Sequence, residues 1–349
     1  MSEINIAKID KNFAVPATVD KADIVFRNVE NAPFQVLGVA YDGERYRRLP
    51  EAVAASVSDR IHTLSAHTAG GRVRFATNSS YVAIRAVMPH VGRMAHFALS
   101  GSSGFDLYAD GKYIRTFVPS VKMQGGYESV IDFGSAQMRN ITVNFPLYSS
   151  VASLEIGLQE TAEIARHPDY RIKQPVVFYG SSITQGGCAS RPGNCYTAIL
   201  ARKLDFDHVN LGFSGSGKAE KEIAEYIAGL SMSVFVYDYD HNAPDTDHLE
   251  ATHERMFRII REKQPNLPIV ILPRPKYTLS ADEQKRLEII KATYTRAKEA
   301  GDENVYFVDG LSLMAMAEGE GTVDSVHPND LGFASMAKAL LPLMEALLK

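Results

Sequence analysis

The chain of 349 residues has no tryptophan and only two cysteines, Cys188 and Cys195. Two cysteines cannot supply the set of disulfides that holds a small secreted domain together. The spacing of Cys188 and Cys195 allows a bond across one loop, but we expect reduced thiols that pack inside the protein. The sequence therefore predicts a fold that depends on an ordinary hydrophobic core.

An excess of one charge and a long apolar run are also missing. Lys and Arg total 37 against 41 Asp and Glu, a net charge of -4, which gives no basic patch for nucleic acid or an anionic membrane. No apolar run approaches the roughly 20 residues of a membrane span. Residues 1–8 lack the basic and then apolar pattern of a secretory signal. We therefore expect a cytoplasmic protein without nucleic-acid or membrane partners.

The first part of the chain has the pattern of short strands. Apolar and polar residues alternate in several segments, and Asp110-Gly111 is typical of a tight hairpin turn. The segments are 23–26, 72–76, 81–87, 106–108, 113–114 and 141–145. Many short strands with few helical patterns predict a jelly-roll-like β-sandwich, which we place at residues 1–168.

The second part, residues 169–349, alternates apolar runs with helical patterns. The predicted strands are 176–179, 208–211, 233–237, 269–272 and 305–308. The predicted helices are 196–204, 219–228, 247–264, 281–300 and 331–348. This order predicts an α/β domain with a doubly wound, five-stranded parallel sheet.

Residues with catalytic potential follow the predicted strands. Ser182 follows the first strand, Gly215 the second and Asn242 the third, and Asp324 and His327 come after the fifth. Taken one at a time, each of these five residues has an ordinary structural explanation as a turn residue, a helix cap or a member of an ion pair. Because ligands collect at the carboxyl ends of such strands, we expect all five on one edge of the sheet. Serine, histidine and an acid are the parts that serine acyl transfer needs.

These blocks resemble the SGNH (GDSL-like) hydrolases over about residues 174–349. The resemblance rests on Gly-x-Ser-Ile-Thr at 180–184, Asn-Leu-Gly-Phe-Ser-Gly at 210–215, Asn242, and Asp-x-x-His-Pro at 324–328. Gly-Phe-Asp-Leu-Tyr at 104–108 is similar to the Gly-x-Asp-Leu-Tyr signature of a β-rich domain that precedes some of these enzymes. The chain departs from the family at Ser181, where the best-known members have Asp, and around Asn242, where Gly-x-Asn-Asp is absent.

The resemblance implies a flavodoxin-like fold for the second domain and a role for each matching residue. Ser182 would attack an acyl carbonyl, His327 would accept the serine proton, and Asp324 would hold the imidazole. No metal or organic cofactor is needed. The N–H groups of Ser182 and Gly215 and the side-chain amide of Asn242 would bind the oxyanion.

Three further side chains are candidates for substrate binding. His241 is the alternative oxyanion donor if Asn242 points elsewhere. Arg191 follows the nucleophile turn and would meet a polar or anionic group, with a role in stabilising the fold as the alternative. Tyr277 follows the fourth strand and would line the pocket. We expect the other histidines, including His62, His96 and His253, to be ordinary residues.

Two rival motifs lack residues that their function requires. Residues 212–219 resemble a P-loop, but Ala219 lacks the hydroxyl that would hold Mg²⁺. Residues 238–242 open like a calcium loop, but Ala243 and Leu249 stand where glycine and glutamate are required. Neither motif explains the serine, histidine and acid.

We therefore expect a two-domain serine esterase for a small-molecule substrate. It would remove a short acyl group, such as acetyl, from an oxygen of a carbohydrate or small metabolite. The alternatives are an acyltransferase with the same three residues and a catalytically silent carbohydrate-binding protein.

Overall fold

A computed structural model describes residue 10 and residues 19–349 of the chain. Within that part, two antiparallel sheets and a β-hairpin precede a five-stranded parallel sheet. The fold class predicted from the sequence is confirmed. No helix of the described residues is long and apolar enough to span a membrane. The expectation drawn from residues 1–8 lies outside the described residues.

The first part of the chain contains twelve strands among its described residues. They are β1 (Ile24–Asn28), β2 (Gln35–Leu37), β3 (Ala40–Tyr41), β4 (Tyr46–Arg47), β5 (Arg72–Thr77), β6 (Tyr81–Val87), β7 (Phe105–Ala109), β8 (Lys112–Phe117), β9 (Gly126–Asp132), β10 (Arg139–Asn144), β11 (Ser153–Gln159) and β12 (Ile164–Ala165). One sheet has the order β1-β11-β6-β9, and the other has β12-β5-β10-β7-β8 with β2 also on β5. Burial alternates along β10, so one face of that strand meets the core. The jelly-roll topology stays a prediction.

The hairpin predicted at Asp110-Gly111 is present. These two residues join β7 to β8 and have φ angles of 48° and 75°. A tight hairpin turn of this kind needs positive φ at both central residues, which Asp and Gly tolerate better than most.

Three short helices among the described residues of the first part were not predicted. They are α1 (Glu51–Val57), α2 (Asp59–Ser65) and α3 (Leu99–Ser102). Seven residues or fewer give too little periodicity to read, although Ser58 caps α2 by accepting a hydrogen bond from the N–H of Ile61. Ile61 and Leu64 of α2 pack against the parallel sheet.

The parallel sheet has the strands β13 (Ile172–Gly180), β14 (Phe206–Gly212), β15 (Val234–Asp238), β16 (Ile269–Ile271) and β17 (Val305–Phe307). Its order is β14-β13-β15-β16-β17, which is the flavodoxin-like order. The helices are α4 (Ser182–Gln185), α5 (Tyr196–Leu204), α6 (Lys221–Ala228), α7 (Thr246–Lys263), α8 (Ala281–Glu299), α9 (Gly310–Met314) and α10 (Asp330–Leu347). All five residues of β15 are buried, as expected when helices cover both faces of a sheet.

The two parts of the chain share hydrophobic cores. Leu49 and Leu64 join the cluster on one face of the parallel sheet, and Phe97 and Tyr148 join the cluster on the other. A third cluster fills the space between the antiparallel sheets. The boundary at 168/169 stays a prediction, but apolar contacts cross it on both faces.

Candidate active site

The turn after β13 presents Ser182. A Cβ on Gly180 would lie 2.2 Å from the backbone oxygen of Asp238, so a side chain does not fit there. The Ser181 hydroxyl then caps α4 by accepting a hydrogen bond from the N–H of Ile183 at 3.2 Å. Ser182 therefore opens the helix in a fixed position, and 6% of its surface is exposed.

Ser182, His327 and Asp324 form one hydrogen-bonded chain. Ser182 Oγ lies 2.9 Å from His327 Nε2, and His327 Nδ1 lies 2.7 Å from Asp324 Oδ2. This is the arrangement in which an acid orients an imidazole that can take a serine proton. The structure thus brings together the three residues that the sequence predicted, while their catalytic roles stay a prediction.

The carboxylate of Asp324 is held in its charged form. Burial acts to raise its pKa, but hydrogen bonds from the backbone N–H and ring of His327 outweigh burial, so the pKa lies below its usual value. A further N–H, that of Val326, donates to Asp324 Oδ1 at 3.1 Å. The charged oxygen facing Nδ1 favours a hydrogen on that nitrogen and leaves Nε2 free to accept.

Gly215 lies in the loop after β14, residues 213–217, which we call the oxyanion loop. Its φ angle of 65° is one that glycine adopts at little cost. The N–H groups of Ser182 and Gly215 donate to no protein acceptor among the described residues. Both are therefore available to an oxyanion, as predicted from the sequence, although their role is still untested.

The side chain of Asn242 does not fit the predicted role of oxyanion donor. Its Nδ2 donates to the carbonyl oxygens of Phe213 and Gly217, each at 2.9 Å. An amide nitrogen has two hydrogens, so neither remains for a substrate. Asn242 instead ties together the two ends of the oxyanion loop and so positions Gly215.

His241, the alternative oxyanion donor, has a buried ring nitrogen, Nε2, without a hydrogen-bond partner among the described residues. Burial, then the charge of Arg274, lowers the pKa of His241 to about 4, and the charge of His327 also acts on it. The ring is therefore neutral near pH 7. A buried ring nitrogen without a partner is unfavourable, and a substrate oxygen or hydroxyl would satisfy it.

A buried ion pair fixes the segment that carries His241 and Asn242. Arg274 binds both carboxylate oxygens of Asp240, with Nε to Oδ2 at 2.8 Å and Nη2 to Oδ1 at 2.9 Å. The same guanidinium reaches Glu283 Oε1 at 2.9 Å. Because two parallel bonds restrain the pair, the 3₁₀ turn Asp240–Asn242 is held in place.

Residues of the first part of the chain complete the site. The Tyr148 hydroxyl donates to the backbone oxygen of Ser182 at 3.2 Å. The ring of His96 lies 5.9 Å from that of His327, centroid to centroid. Arg60 donates to a serine hydroxyl of the oxyanion loop at 3.1 Å. No local motif in the sequence marks these three residues, and His96 was predicted to be an ordinary residue.

Arg48 holds the base of the oxyanion loop. Its guanidinium donates to the carbonyl oxygens of Asn210 at 3.1 Å and His67 at 2.6 Å, and to that of Gly212. It also lies over the ring of Phe213, 4.7 Å from the centroid. Burial lowers the pKa of Arg48 to about 9, and the group has no carboxylate partner among the described residues. A cation of the first part therefore organises carbonyl groups of the second.

Arg191 has a structural position. It pairs with the buried carboxylate of Asp106 at 3.0 Å, donates to the Tyr108 hydroxyl and lies 3.8 Å from the ring centroid of Tyr113. The Asp and Tyr of the Gly-x-Asp-Leu-Tyr segment thus bind the second part of the chain. These contacts occupy the guanidinium, which favours the alternative of a fold-stabilising arginine over substrate binding.

Two further histidine and tyrosine side chains considered in the sequence have other neighbours. Tyr277 lines a surface cavity with Lys276 and Leu311, and that cavity does not include the serine, histidine or acid. That Tyr277 lines the substrate pocket stays a prediction. His253 is buried and stacks on Tyr237 at 4.8 Å, an ordinary core histidine as predicted.

Both cysteines are free and buried, which confirms the prediction of reduced packing thiols. Burial and the charge of Asp324 raise the pKa of Cys188 to about 11. The thiol is therefore protonated near pH 7, so it does not compete with Ser182 as nucleophile.

Two family models match the chain. Residues 24–164 match the N-terminus of SGNH-hydrolase-type esterases (GxDLY). Residues 173–345 match the GDSL-like Lipase/Acylhydrolase family. A search of curated protein sequences finds no match.

Solved structures resemble the chain over nearly its whole length. A Bacteroides ovatus protein described as a GDSL-like lipase has a TM-score of 0.84 and 28% identity, covering 93% of this chain and 98% of its own. A salicylyl-acyltransferase from a tetracycline biosynthetic pathway has a TM-score of 0.77 and 21% identity, covering 94% and 98%. A family two carbohydrate esterase from Clostridium thermocellum has a TM-score of 0.61 and 14% identity, covering 93% and 98%. The chain therefore belongs to the GDSL-like lipase/acylhydrolases with a GxDLY-type N-terminal domain and is a hydrolase of ester bonds.

Proposed function

We propose that this chain is a serine esterase that removes a short acyl group, such as acetyl, from an oxygen of a carbohydrate or small metabolite. The observation that carries the proposal is the continuous contact from Ser182 Oγ to His327 Nε2, at 2.9 Å, and from His327 Nδ1 to Asp324, at 2.7 Å. A serine so placed is activated by an adjacent base that is itself oriented.

The reaction has two halves. Ser182 Oγ attacks the acyl carbonyl while its proton moves to His327 Nε2, and the N–H groups of Ser182 and Gly215 bind the oxyanion. Collapse of the tetrahedral intermediate releases the alcohol, which takes the proton from His327. Water then loses a proton to His327 and attacks the acyl-enzyme, and the proton returns to Ser182 as the acid leaves.

Close packing beside Ser182 favours a short acyl group. A Cβ added to Gly187 would lie 2.8 Å from the Tyr148 hydroxyl and 3.4 Å from Cδ2 of His327. The ring of Phe97 packs edge-on against Tyr148 at 5.2 Å. Side chains of the first part of the chain thus form a wall close to the nucleophile.

A panel of esters tests the proposal. Similar structures include carbohydrate esterases and an enzyme described as an acetyl xylan esterase, so acetylated sugars come first and longer acyl chains second. Release of acetate by the wild type and its loss in Ser182→Ala are expected, with rates falling as the acyl chain lengthens. No release from any ester would contradict the proposal.

The same panel separates the alternatives. Transfer of the acyl group to an added alcohol, in excess of hydrolysis, would identify an acyltransferase. This alternative is tested because one of the similar structures is a salicylyl-acyltransferase. Sugar binding that persists in Ser182→Ala, with no turnover by the wild type, would identify a binding protein.

A further inference from the structure

Three side chains that bind soft metals meet at the catalytic histidine. One ligand atom each from His96, Cys188 and His327 lies within 4.8 Å of the other two. Cys188 is buried and His327 half-buried, whereas His96 is exposed and belongs to the first part of the chain. The proposed hydrolysis uses neither His96 nor Cys188.

We propose that His96, Cys188 and His327 form an inhibitory binding site for a thiophilic divalent cation such as Zn²⁺. Imidazole nitrogen and cysteine sulfur are the ligands that Zn²⁺ prefers, and three protein ligands leave a fourth position for water. Bond lengths of about 2.0 Å to nitrogen and 2.3 Å to sulfur place tetrahedral ligand atoms about 3.3 to 3.7 Å apart. The cluster must therefore contract by about 1 Å, and the exposed ring of His96 can move.

The existing contact between His327 and Asp324 suits a metal ligand as well as a base. A metal-bound histidine usually donates its other ring N–H to a carboxylate, and His327 Nδ1 faces Asp324 at 2.7 Å. This leaves Nε2 for the metal. The same nitrogen lies 2.9 Å from Ser182 Oγ, so a bound cation replaces the serine contact and removes the base.

The binding step balances without a redox partner. The Cys188 thiol releases its proton to solvent as the metal–sulfur bond forms, and the two imidazoles bind as neutral ligands. Removal of the metal by a chelator restores the thiol and the contact between Ser182 and His327. Inhibition is therefore reversible.

Cobalt binding tests the site without using enzyme activity. Co²⁺ is the probe because its bond to a thiolate absorbs in the near ultraviolet. We expect this absorption in the wild type and its loss in Cys188→Ser, while His96→Ala weakens Co²⁺ binding at least about tenfold. Ser182→Ala should still bind Co²⁺, because the serine is not a ligand.

Two matched variants serve as controls for the cobalt experiment. Cys195→Ser removes the other buried thiol, and His62→Ala removes a histidine outside the cluster; both should bind Co²⁺ like the wild type. Absorption that survives Cys188→Ser, or binding that His96→Ala does not weaken, would overturn the proposal.

Inhibition by Zn²⁺ is the second measurement. Unlike the cobalt experiment, it rests on the proposed esterase function, because its readout is ester hydrolysis. Zn²⁺ should inhibit acetyl-ester hydrolysis reversibly, with the activity recovered by EDTA. The ratio of inhibited to uninhibited rate should rise toward one in His96→Ala and Cys188→Ser. Equal inhibition of these variants and the wild type would overturn the proposal. Cobalt binding without any ester hydrolysis would instead contradict the proposed function and leave the metal site standing.

Discussion

The two halves of the active site differ in how their residues are distributed along the chain. In the half built by the parallel sheet, Ser182 lies in a short motif directly after β13, and Asp324 and His327 share a second short motif between α9 and α10. In the half built by the first part of the chain, Arg48, His96 and other groups come from loops without a motif. The reacting groups are thus set by local turns, whereas the wall and the support of the oxyanion loop are set by packing between distant segments.

The largest expected effect lies in the sheet half. Ser182→Ala and His327→Ala should each lower kcat by about 10⁴- to 10⁶-fold, because they remove the nucleophile or its base. The matched control is His62→Ala, a histidine outside the site. Steady-state kinetics on the best acetyl ester, with thermal unfolding as a check on folding, make the measurement. A Ser182→Ala enzyme with a substantial fraction of wild-type kcat would contradict the assignment.

Arg48 tests the support that comes from the other half. Arg48→Met should lower the free energy of unfolding by about 3 to 5 kcal/mol, because several buried carbonyl groups lose their donor. The kcat should fall as well, since the oxyanion loop loses its anchor. Urea unfolding and kinetics measure the two effects. The control Arg115→Met removes an exposed side chain of β8 and should change the free energy of unfolding by less than about 0.5 kcal/mol. If Arg48→Met also changed the free energy of unfolding by less than about 0.5 kcal/mol and left kcat unchanged, Arg48 would not support the oxyanion loop.

His241 and Asn242, neighbours in the chain, should behave differently. His241→Ala removes an unpartnered buried nitrogen, so kcat should fall about 10²- to 10³-fold if the ring binds the oxyanion, with stability unchanged or raised. Asn242→Ala breaks two bonds of the oxyanion loop and should lower both kcat and the free energy of unfolding, the latter by about 1 to 3 kcal/mol. A loss of kcat without a loss of stability in Asn242→Ala would restore it as a direct donor.

The smallest expected effect on kcat concerns Asp238, at the end of β15. Both carboxyl oxygens are buried without a partner among the described residues, and burial raises the pKa well above its ordinary value of 3.8. The folded protein thus keeps a proton that the unfolded chain loses above that pH. The contribution of Asp238 to the free energy of unfolding should therefore fall by about 1.4 kcal/mol per pH unit, starting at pH 3.8 and ending at the pKa of Asp238 in the folded protein.

Asp238→Asn checks this sign. The variant should be more stable than the wild type at neutral pH and lose its advantage below pH 4, with little change in kcat. Urea unfolding from pH 3 to 8 measures the difference. Equal pH dependence of wild type and variant would show that Asp238 is ionised in the folded protein.

The sequence predicted the parts of the molecule that local rules determine. Apolar runs gave the five parallel strands, and the rule that ligands collect at strand ends brought Ser182, Asp324 and His327 together. Contacts between distant segments escaped prediction: Arg48 and Gly212 are 164 residues apart. The predicted role of Asn242 does not fit the structure, because its side-chain amide donates to the carbonyl oxygens of Phe213 and Gly217. A sequence motif does not show which acceptors a side chain will contact in the fold.

Reaction with a fluorophosphonate, followed by intact and peptide mass spectrometry, tests the central claim most directly. The probe forms a covalent bond to an activated serine and releases fluoride. Wild type should carry one adduct, on Ser182, and His327→Ala should form it much more slowly. An unlabelled wild type, or labelling at the same rate in His327→Ala, would contradict an activated serine with His327 as its base.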